Sequence, residues 1–280
     1  MFLIKKLKNF LLRFTAGLTG SMPVQIFLAF NARVSHYLMG IGSGSAPHSS
    51  GELSVMQFVR RNLIVSGRSL CAFDVGANNG QFLALLDKAL ADEPSEIHAF
   101  EPGQTAFGRL HAAFNHSPRI QLNNFGLSNE VCEAWLYSDT LGTGMSSTLQ
   151  RDTQHLGIVF TESEQIKLTT LDSYCAANAV KIIDFLKVDV EGAELAVLNG
   201  GGRMFDEGRV RTVLFEFGGC NIDARTFFRD FFRFFRGHRG RIFRITPSGY
   251  LSPISCYTES LEQFMTTNFF VVLDENVRVK

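Results

Sequence analysis

From Gly51 onward, short apolar runs alternate with stretches whose apolar residues recur every three or four positions. The runs have the character of buried strands, and the recurring stretches that of amphipathic helices. This pattern predicts helix 52–64, strand 70–75, helix 80–90, strand 96–100, helix 104–115, strand 119–125 and a further strand over Val131–Ser138. Asp139–Glu164 is polar, rich in Gly, Ser and Thr and without periodicity, the profile of a functional or disordered loop. Strand 165–170, helix 171–178, strand 182–188, helix 192–199, strand 211–217 and helix 223–236 follow, with Gly200, Gly201 and Gly202 as a stop signal. Strands 241–246 and 268–273 are expected to close the chain as an antiparallel pair at the sheet edge. On helix 223–236, Phe227, Phe228, Phe231, Phe232 and Phe235 form a core-packing stripe, with Arg229, Arg233 and Arg236 mainly opposite. Alternating strands and helices imply an α/β fold, a mostly parallel sheet covered on both faces.

The N-terminal part differs. Residues 1–50 read as a helical extension and linker, and 51–280 as the folded domain. Met1–Leu18 sets Lys5, Lys6, Lys8 and Arg13 among Phe and Leu residues, and its apolar stretch is too short to span a bilayer. It is either a basic amphipathic helix making peripheral contact with an anionic membrane or a helix packed across the domain. A second helix is expected over 24–41, then a flexible joint from Gly42 to Ser50. The 280-residue length and 45% hydrophobic content suit one large domain with an extension. Lys+Arg and Asp+Glu both number 27, so nothing global points to nucleic acid. Five dispersed cysteines without a C-x-x-C pair suit a reducing, cytoplasmic setting, with the inner face of a membrane as its peripheral variant.

Chemistry concentrates at residues 73–80, Phe-Asp-Val-Gly-Ala-Asn-Asn-Gly. A strand carrying Asp74 meets a turn bracketed by Gly76 and Gly80, and a helix follows, which is the first half of a nucleotide-binding α/β unit. The spacing D-x-G-x-x-x-G lacks the pyrophosphate seat of G-x-G-x-x-G, so it suits a cationic, phosphate-free nucleoside such as S-adenosylmethionine better than NAD. Glu101, ending strand 96–100 before Pro102, is placed to accept hydrogen bonds from both ribose hydroxyls. At the end of the central strand Asp189 precedes Glu191 and Glu194, and Glu216 lies near the end of the adjacent strand. These carboxylates could serve as a general base or hold Mg²⁺ through oxygen ligands, Asp189 and Glu216 first. Alternatively, Glu191 and Glu194 complement a helix N-terminus, with Lys187 paired to one of them.

Read in order, S-G-E (Ser50–Glu52), D-V-G-A-N-N-G-Q (Asp74–Gln81), F-E-P (Phe100–Pro102), N-x-G-L-S (Asn124–Ser128), M-S-S (Met145–Ser147), T-L-D (Thr170–Asp172) and D-F-L-K-V-D-V-E-G-A-E (Asp184–Glu194) resemble the FkbM-type family of S-adenosylmethionine-dependent methyltransferases. The resemblance runs from about Ser50 to the C-terminus and leaves out the first 49 residues. Gly126 and Asn79 depart from the usual family residues, Ala and Ile or Val. It implies a class I methyltransferase fold, with a seven-stranded, mostly parallel Rossmann-like sheet and a reversed C-terminal hairpin. It also implies O-methylation of a hydroxyl on a glycan, lipid-linked sugar or secondary metabolite.

The cofactor-binding residues so implied are Asp74, Gly76, Ala77, Asn78 and Gly80 for the methionine portion, Glu101 and Pro102 for the ribose, and Asn124 and Leu127 for the adenine edge. Asp189, Glu216 and Glu191 are the catalytic candidates, with His155 an alternative base. Gln81, Ser50 and Glu52 either approach the ligand or belong to their local helix starts. Gly142–Thr148 is the expected lid. An NAD-linked oxidoreductase or epimerase, and a non-catalytic module for membrane or partner attachment, are the competing readings.

Overall fold

The computed structural model describes Lys6, Leu11 and residues 15–44, 50–64 and 68–279. The chain divides into two units, Met1–Met39 and Gly40–Lys280. Gly44 N already donates to Thr266 O at 3.0 Å within that second unit. In the first unit α1 (Met22–Leu38) carries Pro23 in its first turn, where the missing N–H costs nothing. Most of the Met1–Leu18 expectation lies outside the described residues. No described helix is long and apolar enough to cross a membrane.

The second unit opens with α2 (Glu52–Asn62), β1 (Leu70–Val75), α3 (Gln81–Ala89), β2 (Ser95–Phe100), α4 (Gln104–Phe114) and β3 (Ile120–Asn123). Next come β4 (Gly126–Ser128), β5 (Cys132–Ser138), β6 (Glu162–Thr170) and α5 (Leu171–Ala177). Then follow β7 (Phe185–Val188), α6 (Glu194–Asn199), α7 (Gly202–Asp206) and β8 (Thr212–Phe217). The chain ends with α8 (Cys220–Asp223), α9 (Phe228–Gly237), β9 (Arg241–Ile245), β10 (Leu251–Ile254) and β11 (Thr267–Val272).

The main sheet has the order β10-β9-β11-β8-β7-β1-β2-β3. The five strands from β8 to β3 pair in parallel, whereas β11, β9 and β10 add antiparallel pairings. It is the expected class I architecture with one more edge strand, β10. The expected hairpin is real, but β11 inserts between β8 and β9 instead of forming the edge. β5 and β6 leave the main sheet and pair with β4 in a small sheet of their own.

Strand alternation sorts side chains onto two faces. Phe73, Val75, Leu186, Val188 and Phe215 pack with Phe228, Phe231 and Phe235 of α9. Leu70, Ala72, Phe185 and Leu214 pack with Val55, Met56, Leu83 and Leu86 of α2 and α3. The aromatic stripe is therefore core, although Phe227 stays exposed. One helix boundary moved. Arg225, at φ +54°, separates α8 from α9 within the expected single helix. α6 ends at Asn199 as expected, but Gly202 opens α7 instead of prolonging the stop. A Cβ at Gly200 would meet Ser128 O at 2.0 Å, so close packing explains that glycine.

β1 lies between β2 and β7, where the chain switches from building one side of the sheet to the other. Ligands bind outside the carboxyl ends of strands at such a switch. The opposite end of this strand pair is locked by Asp184, whose side chain is fully buried. It accepts from Cys71 N (2.9 Å), Arg211 Nη1 (2.8 Å) and Arg68 Nη1 (2.6 Å). Asp184→Ala strips partners from two guanidinium groups and is expected to cost about 3–5 kcal/mol. Urea unfolding checks this; a change below about 0.5 kcal/mol would remove the lock from the account.

Candidate active site

The turn after β1 is built on backbone contacts. Gly76 has φ +84°, and a Cβ there would sit 1.8 Å from Asp189 O, so only glycine lets the tips of β1 and β7 meet. Gly76 N and Ala77 N both donate to Phe100 O, at 3.0 and 2.9 Å, which ties the β1 tip to β2. Asn78 N donates to Glu101 Oε2 at 2.9 Å, and Gly103 N donates to Oε1 at 2.8 Å. Each carboxylate oxygen of Glu101 keeps accepting capacity for a ligand. Burial pushes the Glu101 pKa up to about 7 against the opposing effect of those two N–H bonds.

Two hollows open here. The smaller, about 120 Å³, is walled by Phe100, Glu101, Pro102, Leu127, Leu136 and Leu168. The larger, about 630 Å³, is lined among others by Ala77, Gln81, Phe82, Arg151, Lys187 and Glu216. Both share Gly76, Asn78, Gly144, Asp189 and Glu191. The Gly142–Thr148 segment contributes Gly144 to each and forms a strap at their junction. Ser147 and Tyr137 exchange backbone hydrogen bonds at 2.9 and 2.8 Å. Ser147 Oγ donates to Glu191 O at 2.7 Å, and Arg109 Nη1 donates to Gly142 O at 3.1 Å.

Charge concentrates on the floor. Lys187, 5% exposed, donates to Asp189 Oδ2 at 3.0 Å and lies 3.7 Å from Asp74 Oδ1. Burial works against its charge, but Asp189, Asp74 and Glu52 together outweigh burial and raise its pKa above the ordinary lysine value. Arg151 Nη1 holds Glu191 Oε2 at 2.6 Å; burial first, then Asp189, nonetheless raises the Glu191 pKa to about 7. The Glu216 carboxylate makes neither a hydrogen bond nor an ion pair among the described residues. Burial and the repulsion of Asp189, Glu191 and Glu194 push its pKa well above the carboxylate range. Asp189, Glu191 and Glu216 each offer a carboxylate oxygen within 4.8 Å of the others.

Most of the candidates converge. Gly76, Ala77, Asn78, Glu101, Pro102, Leu127, Asp189, Glu191, Glu216 and the exposed His155 line one or both hollows. Gln81 and Glu52 line the larger, the latter with Ser50 Oγ donating to its Oε2 at 3.1 Å.

Three cofactor candidates do not. Asp74 sits opposite Lys187 in the strand register, on the face covered by α2 and α3, and lines neither hollow; its two carboxylate oxygens accept no hydrogen bond. Its nearest cation among the ion pairs of the described residues is Lys187, at 3.7 Å. Gly80 lies against Phe114 and Leu110 of α4, so its φ of +83° serves helix packing. Asn124 spends its amide on Glu101 O (3.0 Å) and Pro102 O (3.2 Å), holding that bend from outside.

Lys187 pairs with Asp189 and Asp74, not with Glu191 or Glu194. Glu194, fully buried, accepts from Val190 N (3.1 Å) and Gly192 N (3.0 Å) and is the local cap. Arg151 and Phe82 were not anticipated at the site. Arg151 sits in an aperiodic loop without a local signal, and Phe82 looked like one more core position of its helix, although it also carries Lys187 Nζ 4.9 Å from its ring centre.

The chain matches the methyltransferase FkbM domain family over residues 74–243. No curated protein matches it. Among solved structures it is similar to the methyltransferase FkbM from Methylobacillus flagellatus KT, at 16% identity and a TM-score of 0.44, covering 72% of this chain and 43% of that one. The present chain thus spans less than half the length of that protein. It is also similar to the plantazolicin methyltransferase BpumL in complex with SAH, at 8% identity and a TM-score of 0.41 over 97% and 99% of the two chains. An O-methyltransferase from Bacillus cereus in complex with SAH gives 10% identity and a TM-score of 0.39 over 93% and 96%.

The electrostatics carry a stability consequence. Because the folded-state pKa of Glu216 exceeds its unfolded value, this group favours the fold below the unfolded pKa near 4.5 and loses that contribution as pH rises toward the folded pKa. Glu216→Gln is expected to raise Tm at pH 8 by roughly 2–4 °C, with a much smaller gain at pH 4.5. Scanning calorimetry at both values checks it; equal shifts at both would rule out a titrating cause.

Proposed function

The chain belongs to the FkbM family of S-adenosylmethionine-dependent methyltransferases, and from that premise we propose that it methylates a hydroxyl of a glycan, lipid-linked sugar or secondary metabolite. The observation that carries this reading is the continuity of the two hollows through Gly76, Asn78, Asp189 and Glu191. A nucleoside seat and an acidic chamber are thereby parts of one cleft.

The residues present fit the cofactor. Glu101 would accept from the ribose hydroxyls, and its two backbone N–H partners already set the orientation of its carboxylate. Leu127, Leu136 and Leu168 would wall the adenine. Gly76 lets the β1 and β7 tips meet at the cleft, and Asn78 Oδ1, buried without a partner among the described residues, is an acceptor available to a ligand donor. Bound S-adenosylmethionine would supply an electrophilic methyl group on a sulfonium.

The chain's own contribution is to place the acceptor in the larger hollow and to take its proton. We assign the proton-accepting role to Glu216. Lys187 engages Asp189 and Arg151 engages Glu191, whereas the Glu216 side chain makes no ion pair among the described residues and has a raised proton affinity. Asp189 and Glu191 then position the hydroxyl. His155, exposed at the rim, stands further from this acid cluster in role, as a contact for the outer part of an acceptor. The same three acids form an oxygen-ligand set of the kind Mg²⁺ requires, and removing metal separates the two uses.

Two measurements test the assignments. Glu101→Ala is expected to weaken S-adenosylmethionine binding by about 10–100-fold in calorimetric titration, from the loss of charge-assisted hydrogen bonds; unchanged affinity would contradict the ribose role. Glu216→Gln is expected to retain cofactor affinity while lowering turnover about 10²–10⁴-fold and erasing the acidic limb of the pH profile. If exhaustive EDTA treatment abolishes wild-type turnover and Mg²⁺ restores it, the acids act as metal ligands and the general-base assignment fails.

A further inference from the structure

The first unit carries an exposed apolar helix. No residue of α1 is buried. Ile26, Phe27, Phe30, Val34, Tyr37 and Leu38 recur at helical spacing on one side of it, and each is between 42% and 66% exposed. Such a face of large apolar side chains, two of them phenylalanines, is rare on a surface that meets only water. Its charge setting is equally one-sided. All 27 Asp and Glu residues lie after Gly51, whereas Lys5, Lys6, Lys8, Arg13 and Arg33 precede it.

We propose that α1 and the basic segment before it dock the protein on an anionic lipid surface, with the Ile26–Leu38 face inserted among acyl chains. An apolar helical face joined to a purely cationic segment matches the two parts of an anionic bilayer interface, hydrocarbon below and phosphate above. A second copy of the chain fits less well, because pairing this face would bring two acid-free, positively charged segments together. A nucleic acid would satisfy the cations and leave the phenylalanines in water. No described helix is apolar and long enough to span, so the helix lies along the surface. This inference stands apart from the methyl-transfer reading; it concerns where the protein sits, whatever the acceptor.

Flotation of the full chain with phosphatidylcholine vesicles, and with vesicles also containing phosphatidylglycerol, tests the proposal. Wild-type protein is expected to float with the anionic vesicles, at least about tenfold less with neutral ones, and to be released by high salt. The double variant Phe27→Ser, Phe30→Ser removes exposed groups only and is expected to keep its Tm while losing at least about tenfold in partitioning. Wild type that ignores anionic vesicles, or a variant that floats equally well, overturns the proposal. So does a sedimentation-velocity dimer that the variant dissolves in the absence of vesicle binding, which would make the face a contact between copies.

Discussion

Lys187 places an ammonium group where it is 5% exposed, and an unpaired charge in that position would cost several kcal/mol. Asp189 and Asp74 make it tenable, one from the tip of its own strand and one from the neighbouring strand β1. The arrangement links the two strands whose ends flank the topological switch, just where Gly76 brings their backbones into contact. It also engages Asp189, so the orientation of an acid in the cleft depends on a cation in its floor. Asp74, which reads in sequence as a ligand contact, belongs to this foundation.

The charge balance above the floor is uneven by design of the same contacts. Lys187 and Arg151 neutralise Asp189 and Glu191, and Asp223 draws further on Arg151 at 3.4 Å. Glu216 is left as a carboxylate among carboxylates. Such a group weakens the fold when ionised, and its proton affinity is raised above that of an ordinary carboxylate. Stability at this end is therefore recovered elsewhere, at Asp184 beneath the strands and in the phenylalanine layer between α9 and the sheet.

Much of this was legible in the chain itself, for identifiable reasons. Strand 70–75, its glycine turn and the helix after it carry local signals that tertiary packing does not override, and they stand as read. Glu194 as a structural acid was also readable, since a carboxylate at the start of a helix meets free N–H groups. β4 and β10 escaped because three or four residues cannot display a period. Gly80 misled because a positive-φ glycine looks the same whether a ligand or, as here, Phe114 occupies the space beside it. The partner of Lys187 was invisible for a deeper reason. Its choice of Asp74 over Glu191 or Glu194 is set by which strands lie side by side, and strand order is a property of the whole sheet.

The strap from Gly142 to Thr148 joins these themes. Gly144 approaches Asn78 so closely that a Cβ would lie 3.1 Å from its Nδ2, while Ser147 holds Glu191 by its carbonyl oxygen. Glu191 itself has φ +53°, a conformation that a non-glycine residue keeps only under restraint. One short segment thus touches Asn78 and restrains Glu191, both of which line the two hollows. The smaller hollow, at about 120 Å³, shares Gly144 of this strap with the larger one. The segment that borders both hollows is therefore the one whose Ser147 hydroxyl fixes the Glu191 backbone.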